Sequence, residues 1–411
     1  MVYWRKYSMT RNMKDSGVEW IGEIPEDWSI KKLKFVANIK SGEGITNNEL
    51  SENGEFEVFG GNGVMGRCNK YNVECSRLII GRVGALCGNV RYVTQKAYVS
   101  DNALILDLKD REIYKFYYYL LHGANLGRLN TSNAQPLITG TKVLNLYIPN
   151  INMKSQFKIA AFLDKKCTKI DQTIEKEKQV IEKLKEYKQS VITEAVTKGL
   201  NPDVPMKDSG VEWIGEIPEY WKIKKLKYEF RIKKNIAGKE GYKILSVTQN
   251  GIKIKDISKN DGQLAMDYSK YQLVDIDDFI MNHMDLLTGF VDCSKYQGVT
   301  SPDYRVFYLI DRNRDKNYYR YIFQSCYKNK IFYGLGQGVS FLGRWRLQSD
   351  KFLNFNIPIP PNNEQKEISD YLDKKCSAID KIILTKEKVI KKLTECKKSL
   401  IYECVTGKRE A

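Results

Sequence analysis

Short patterns typical of catalytic sites occur in the sequence, but each is incomplete. Phe59-Gly-Gly-Asn-Gly63 matches the Phe-x-Gly-x-Gly loop that holds a methyl donor in methyltransferases. That loop should lead from a strand into a helix, and the segment Arg67-Cys-Asn-Lys-Tyr71 lacks helical character. The sequence also lacks an Asn-Pro-Pro-Tyr or Asp-Pro-Pro-Tyr motif, which would hold a flipped base beside the donor. A methyltransferase centre is therefore not predicted.

Motifs for nucleotide hydrolysis and DNA cleavage are missing as well. There is no GxxxxGK[ST] loop to cradle phosphates. Pro-Asp pairs at 202–203 and 302–303 have no acidic-x-Lys partner on a following strand, and Glu175-Lys-Glu-Lys178 lies in a charged helical segment. Two separated histidines and nine cysteines without a CxxC pair do not predict a metal site. We therefore expect a non-catalytic chain that binds no metal or cofactor itself.

The chain is large and strongly basic. Its 411 residues exceed one ordinary core, so we expect two or more globular domains. A net charge of +17 favours a polyanionic partner, although a lysine-rich solvated surface would explain it equally well. The sequence has no run of eighteen apolar residues, and its N-terminus lacks the apolar core of a signal peptide. These features predict a cytoplasmic protein with no membrane partner.

Two different segments of the sequence are each repeated once. Residues 13–28 recur at 206–221 with a single difference, Asp27 against Tyr220. The segment 163–171 recurs at 372–380 as the start of a longer repeat. The two blocks enclosed by these repeats share little sequence. A duplicated frame with divergent inserts predicts one scaffold that presents two different binding surfaces.

The long repeats carry a heptad pattern, which is apolar at all but two positions in each copy and predicts a pair of long coiled-coil helices. The first helix, over about residues 156–197, would be about 60 Å long. Its seam positions are Leu163, Cys167, Ile170, Ile174, Glu177, Ile181, Leu184, Lys188, Val191 and Ala195. Those of the second helix are Leu372, Cys376, Ile379, Ile383, Lys386, Ile390, Leu393, Lys397, Leu400 and Cys404.

Glu177 and Lys386 occupy equivalent seam positions near the middle of their helices. If the helices pair antiparallel about a pseudo-twofold axis, these opposite charges would meet close to that axis and help to fix the register. Two independent solvated breaks in the seam would explain the same pattern equally well.

Both variable blocks have mixed α/β character. In the first, we expect strands at residues 76–84, 88–93 and 103–108 and a helix at 113–122. In the second, we expect strands at 242–247, 279–282 and 304–310 and a helix at 317–327. The blocks close with related segments, 143–149 and 352–358, which indicates one fold that carries two sequences.

Several of these segments resemble the specificity subunit of type I restriction-modification systems. They are the opening Trp20-Ile-Gly-Glu-Ile-Pro-Glu-Asp-Trp28, the close from Ile357-Pro-Ile-Pro-Pro to Leu372-Asp373, and the glycine-rich segments 59–67 and 81–88. The resemblance covers nearly the whole chain, including its duplicated layout. It departs from the family pattern at residues 151–156, where Pro-Pro and Glu-Gln are expected.

The resemblance implies an α+β architecture of two mixed α/β target-recognition domains separated by a pair of long, antiparallel coiled-coil helices. The expected segments are a first recognition domain at 1–152, a first helix at 153–199, a second recognition domain at 200–361 and a second helix at 362–411. Each recognition domain would read one half of a bipartite site in double-stranded DNA.

The family also implies a division of labour among subunits. The helices would set the spacing of the half-sites and dock two modification (methyltransferase) subunits, and restriction subunits would supply an ATP-dependent translocase and nuclease. S-adenosylmethionine, ATP and Mg would then bind to those partners. Two alternatives remain open: a coiled-coil scaffold with non-specific DNA binding, and a specificity subunit of a methylation-only complex.

Candidate DNA contacts are Arg, Lys, Asn, Gln and Ser side chains in glycine-rich loops, because amides and guanidiniums read base edges and glycines let the backbone approach phosphates. In the first domain they are Asn62, Arg67, Lys70, Arg82, Asn89, Arg91, Ser132 and Gln135. In the second they are Gln249, Asn250, Lys253, Lys255, Asn282, Lys295, Gln337, Ser340, Arg344 and Arg346. For any single residue, an ordinary solvated surface group or turn is the better explanation, whereas the loops as sets are the better candidates.

Overall fold

The computed structural model of the chain describes residues 11–130, 136–256, 267–337 and 345–411. It divides into two compact units. Unit 1 comprises Met1–Lys178 together with Glu387–Ala411, and unit 2 comprises Gln179–Lys386. Each unit therefore contains one mixed α/β domain and parts of both long helices. The segments predicted from the sequence instead treat each long helix as separate from the two domains.

Unit 1 contains short strands and two short α-helices before its first long helix. The strands are β1 (Met13–Asp15), β2 (Glu23–Pro25), β3 (Ser29–Lys32), β4 (Ala37–Ser41), β5 (Phe56–Gly60), β6 (Gly63–Cys68), β7 (Arg77–Gly81), β8 (Val90–Val93), β9 (Ala97–Val99), β10 (Ala103–Leu108) and β11 (Tyr147–Asn150). The helices are α1 (Tyr114–Ala124) and α2 (Gly140–Leu144), with 3-10 turns at Leu33–Phe35, Asn47–Glu49, Arg111–Ile113 and Leu126–Leu129.

The centre of unit 1 is an antiparallel sheet in the order β4-β10-β7-β8. Because side chains alternate along a strand, its central strands are buried on both faces. Leu78 and Leu106 share a core with helix α1, whereas Ile79 and Ile105 pack into a second core with the small sheet β6-β5-β9. The strands and the helix predicted at 76–122 are confirmed as β7, β8, β10 and α1.

The first long helix, α3, spans Met153–Lys198 and leads into unit 2. The strands of unit 2 are β12 (Met206–Asp208), β13 (Glu216–Pro218), β14 (Lys222–Lys225), β15 (Phe230–Lys233), β16 (Leu245–Thr248), β17 (Gly251–Ile254), β18 (Gln272–Val274), β19 (Phe279–Met281), β20 (Val291–Cys293), β21 (Gly298–Thr300), β22 (Arg305–Leu309) and β23 (Asn356–Ile359). Its short helices are α4 (Lys316–Lys328), α5 (Ile331–Gly334) and α6 (Ser349–Leu353), with a 3-10 turn at Leu226–Tyr228, and the second long helix is α7 (Asn362–Val405).

Unit 2 repeats the plan of unit 1. Its central sheet has the order β15-β22-β19-β20, which is the same antiparallel arrangement. The repeated sequence forms the same hairpin in both units, β1 with β2 and β12 with β13. The following strand pairs with the closing strand, β3 with β11 and β14 with β23. The two blocks therefore share one α+β fold, as the resemblance predicts.

The heptad seam accounts for the burial pattern of both long helices. Every predicted seam position is buried or half-buried, including Glu177, Lys188, Lys386 and Lys397. Between Cys167 and Tyr187, every residue outside the seam is exposed. The predicted interface positions therefore lie on the less exposed stripe, which comprises Leu163, Ile170, Ile174, Glu177, Ile181, Leu184, Val191, Leu372, Ile379, Ile383, Lys386, Ile390, Leu393 and Leu400.

Ion pairs show that the helix segments run antiparallel within each unit. In unit 1, Lys397 Nζ lies 2.6 Å from Asp171 Oδ2, and the buried Cys404 lies near Cys167. In unit 2, Lys188 Nζ lies 2.7 Å from Asp380 Oδ2, and Gly199, just after α3, lies beside Glu364 near the start of α7. Asp171 is equivalent to Asp380, and Lys188 to Lys397, so the same pair forms with the helices exchanged.

Two expectations about the helices have different outcomes. Glu177 belongs to unit 1 and Lys386 to unit 2, so their pairing stays a prediction. None of the described helices is long and apolar enough to cross a membrane.

Candidate nucleic-acid interface

Several loops of unit 1 meet at one end of its central sheet, which we call the loop end. They are the turn 61–62 between β5 and β6, the loop 82–89 between β7 and β8, and the segment 136–138. Gly81 has no room for a side chain, because a Cβ there would overlap the Gly61 carbonyl oxygen. The Ile138 N–H donates to the Arg82 carbonyl over 2.9 Å and ties the third segment to the others.

Four predicted contact residues gather at or beside this loop end: Asn62, Arg82, Asn89 and Arg91. The amide side chains of Asn62 and Asn89 are exposed. Arg91 Nη2 lies 3.4 Å from the Asn62 carbonyl oxygen, so the guanidinium covers the glycine-rich turn. Arg82 Nη1 donates to Ser41 Oγ over 3.3 Å, while its buried Nε has no partner among the described atoms. The cluster can therefore offer amide and guanidinium groups to a polyanion.

Arg67 and Lys70 are held by their own domain. Arg67 donates from Nε and Nη2 to the carbonyl oxygens of Gly54 and Glu55, both over 2.7 Å. It lines an open cleft of about 550 Å³ together with Arg91. Lys70 pairs with Glu49, whose pKa falls to about 2 because of hydrogen bonds from Lys70 and Thr46. Arg67 and Lys70 therefore make contacts within unit 1, and their contact with DNA stays a prediction.

The same end of unit 2 has the same construction. Loop 282–290 joins β19 to β20, and the Leu347 N–H donates to the His283 carbonyl over 2.9 Å. This contact is equivalent to that between Ile138 and Arg82 in unit 1. The two loop ends therefore share a backbone arrangement but present different side chains.

Gln249, Asn250, Gln337 and Arg346 lie at the loop end of unit 2, and all four are exposed. Gln249 Nε2 lies 3.4 Å from the Thr288 carbonyl oxygen and so joins the β16–β17 turn to loop 282–290. Gln337 and Arg346 form a backbone pair with two hydrogen bonds of 3.0 Å. These contacts bring residues that are far apart in sequence to one edge.

The remaining candidates of unit 2 differ in position. Asn282 is half-buried, and its Oδ1 accepts from the Met284 N–H within the loop. Lys253 is exposed on β17, and Lys255 follows the end of that strand. Lys295 follows the end of β20 that lies away from the loop end. There the neighbouring Ser294 makes backbone hydrogen bonds with Asp277 and Asp278. The structure therefore places Lys295 apart from the loop end. Ser132, Gln135, Ser340 and Arg344 lie outside the described residues.

Two residues behind the loop end of unit 2 are absent from the sequence-based candidates. Arg305 is only 4% exposed, and its Nη2 donates to the Leu347 carbonyl over 2.8 Å. Its guanidinium also lies 4.7 Å from the Phe352 ring centroid. Burial lowers the pKa of Arg305 to about 10, so it stays charged at neutral pH. Arg305 thus holds the backbone that carries Arg346.

His283 lies in the same buried group. Its pKa is lowered to about 3 by burial and by the nearby charges of Arg305 and Arg346, so the imidazole is neutral at neutral pH. Its buried Nδ1 has no partner among the described atoms. The signal in the sequence was an arginine inside an apolar strand, Tyr304-Arg-Val-Phe-Tyr, since buried charges are rare. Unit 1 has Leu104 at the position of Arg305.

Metal chemistry finds no support in the described part of the chain, which contains no group of three His, Cys, Asp or Glu side chains able to hold an ion.

Comparisons with known proteins match nearly the whole chain. A family model described as the type I restriction modification DNA specificity domain matches residues 25–186 and 211–395. The type I restriction enzyme EcoprrI specificity subunit of Escherichia coli is 30% identical over 141 residues, which are 33% of this chain and 35% of that protein. The type I restriction enzyme MjaVIII specificity subunit of Methanocaldococcus jannaschii is 24% identical over 416 residues, 94% of this chain and 93% of that one.

A solved structure described as the basis of complex assembly and conformational transition of the type I R-M system has the same fold. Its chain superposes with a TM-score of 0.66 at 12% identity, and the match covers 94% of this chain and 99% of that one.

Proposed function

We infer the function from the premise that this chain belongs to the type I restriction modification DNA specificity family, whose model matches most of its length. The chain is the DNA sequence-specificity subunit of a type I restriction-modification complex, and it is not itself an enzyme. We propose that the loop end of each unit reads one half of a bipartite target in double-stranded DNA. Of the candidate contacts, those at the loop ends would read base edges, and Lys253 on β17 and Lys255 just after it would touch phosphates.

The observation that carries this proposal is the shared construction of the two loop ends. Ile138 and Leu347 make the same backbone bond, to Arg82 in unit 1 and to His283 in unit 2. The shared backbone arrangement would hold the loop end of each unit in the same place relative to its sheet. The side chains on it differ, and unlike side chains at matching positions suit two different half-sites.

The partners and cofactors follow from the family and belong to the proposal. The long helices would set the gap between half-sites and dock two modification subunits, with restriction subunits completing the complex. S-adenosylmethionine would bind the modification subunits, and ATP and Mg the restriction subunits. We expect the protein to act in the cytoplasm, as its sequence features predict.

Family membership favours this function over a coiled-coil scaffold with non-specific DNA binding. The two divergent loop ends favour it as well, because a scaffold would not need them. A complex that only methylates DNA would use the same specificity subunit. The two cases differ only in the restriction subunit, so they predict the same recognised sequence.

The test maps methylated adenines in cells that express the complete system. We expect a two-part motif with a fixed gap. The double variant Asn62→Ala, Arg82→Ala should relax one half of that motif and leave the other half unchanged. Lys295→Ala is the matched control, because this exposed lysine lies away from the loop end, and it should leave the whole motif intact.

Two results would count against the proposal. An ungapped motif in the wild-type system would contradict the reading of two half-sites. Equal relaxation of both halves by the Asn62, Arg82 variant would show that unit 1 does not read its own half.

A further inference from the structure

A second repeated surface lies outside the loop ends. It consists of three lysines and one exposed aromatic residue that are close together in sequence, and we call it the basic aromatic patch. In unit 1 the patch is Lys31, Lys32, Lys34 and Phe35, and in unit 2 it is Lys224, Lys225, Lys227 and Tyr228. The two patches occupy equivalent positions after the repeated hairpins. Neither ring takes part in the reading function proposed above.

Both aromatic rings are strongly exposed for their type. Phe35 is 61% exposed and Tyr228 is 64% exposed. A lysine accompanies each ring: Lys34 Nζ lies 5.5 Å from the centroid of Phe35, and Lys227 Nζ lies 5.4 Å from that of Tyr228. An exposed aromatic ring therefore occupies the same place in the shared fold of both units.

The backbone beneath each ring is fixed. Phe35 and Tyr228 each end a 3-10 turn whose first residue, Leu33 or Leu226, is fully buried. The Leu33 N–H donates to the Leu146 carbonyl and the Leu226 N–H to the Phe355 carbonyl, both over 2.9 Å. Because the leucine anchors the turn, the aromatic ring two residues later is held outward before any partner binds.

The patches lie away from the loop ends. In unit 1, β10 starts at the loop end with Ala103 and finishes at Leu108, which pairs with Ala37 just after the patch. In unit 2, β22 runs in the same way from Arg305 to Leu309, which pairs with Phe230. Strands of this length put about 13 to 17 Å between the patch and the loop end. The rings are therefore unsuited to reading the same bases.

We propose that each basic aromatic patch acts together with the long helices and docks an acidic surface of one modification subunit, so that the chain binds one copy through each unit. This inference rests on the proposed function, which supplies two copies of that partner. The loop ends differ between units because they meet different DNA, whereas the patches match, and a matching patch suits an identical partner. An exposed aromatic ring is a typical anchor of a protein interface, and the surrounding lysines favour an acidic counterpart.

The two patches differ in one respect. Lys224 is bound to the buried carboxylate of Glu229 over 2.7 Å, and unit 1 has Val36 in place of that glutamate. The unit 2 patch thus carries less free positive charge. Docking on unit 1 should consequently weaken more steeply with salt than docking on unit 2.

The test uses the full chain co-expressed with its modification subunit, and native mass spectrometry counts the subunits bound. Phe35→Ser or Tyr228→Ser alone should weaken one of the two binding events by about tenfold or more, which leaves complexes with a single modification subunit. The double variant should lose both. Ile276→Ser is the matched control, since Ile276 is also 61% exposed, and it should retain two subunits.

Two outcomes would refute the docking proposal, and a third would refute the proposed function. A double variant that still binds two modification subunits as tightly as the wild type refutes the docking proposal. So does a double variant that assembles fully but binds DNA more weakly with a smaller salt dependence, because the patch would then contact phosphates. A wild-type chain that binds no modification subunit would instead refute the proposed function itself. Unchanged thermal unfolding of the variants excludes misfolding as the cause.

Discussion

Replacing Arg305 by leucine tests whether a buried cation positions the reading edge of unit 2. Leucine is the natural choice because unit 1 has Leu104 at the equivalent place. In the wild type, Arg305 Nη2 donates to the Leu347 carbonyl over 2.8 Å and to Ser349 Oγ over 3.3 Å. The substitution frees the segment that carries Arg346 without touching any loop-end side chain.

Two opposing terms set the effect on stability. A buried carbonyl left without a donor costs about 1–3 kcal/mol. Removing a desolvated charge stabilises the folded state, because burial disfavours the charged guanidinium and lowers the pKa of Arg305 to about 10. The terms have similar size, so we expect the free energy of unfolding to change by less than about 2 kcal/mol. Specificity should change more, because a well-placed base contact is worth about 1–3 kcal/mol, or roughly ten- to hundredfold in discrimination.

The assay measures adenine methylation by the reconstituted complex on duplexes with one altered base in either half-site. Arg305→Leu should reduce discrimination by about tenfold or more at a base read by unit 2, and leave the half read by unit 1 unchanged. Leu104→Met is the control, because it conserves volume at the matching position of unit 1. Equal loss of discrimination in both halves, or none, would refute the positioning role of Arg305.

Other predictions address the helices, the buried histidine and the glycine turn. A double-mutant cycle with Asp171→Asn and Lys397→Met measures the interaction energy of this ion pair by urea unfolding. We expect at most about 1 kcal/mol, because both side chains are partly exposed. A larger value would show that the pair fixes the register of the helices. His283 has its pKa lowered to about 3, so the unfolded chain binds an extra proton between that pH and its ordinary value near 6.5. The stability contribution is complete above about pH 6.5 and is lost as the pH falls toward 3, and His283→Gln should flatten this dependence in urea unfolding recorded from pH 7 to 4; an unchanged slope would contradict the assignment. Gly81→Ala should distort the loop end of unit 1, because its Cβ would overlap the Gly61 carbonyl oxygen, and methylation mapping should show one relaxed half-site. Gly44→Ala is the control, because a Cβ at this exposed position meets no atom within 4 Å and its φ lies outside the left-handed region.

Much of the scaffold could be predicted from the sequence because local patterns determine it. Seam residues such as Leu163 and Leu372 recur at heptad spacing, and this spacing fixes which stripe of a helix is buried wherever the helix packs. The central strand β10 was found because its nearly continuous apolar run is typical of a strand buried on both faces. The sheet β6-β5-β9 was not predicted, since its strands have only three to six residues and β6 carries two glycines.

The sequence by itself determined the duplicated frame, the two long helices and the family, because repeats and heptads are properties of residue order. Only the tertiary structure decided which polar side chains are free to act. Arg67 and Arg91 look alike in the sequence, yet Arg67 is held by two carbonyl oxygens while Arg91 covers an exposed turn. Arg305 stands out in the sequence only as an arginine within an apolar strand, and its contact with Leu347 forms only when the strands pair. Availability and position depend on contacts between residues far apart in the chain, and these contacts arise only when the strands pair and the loops close.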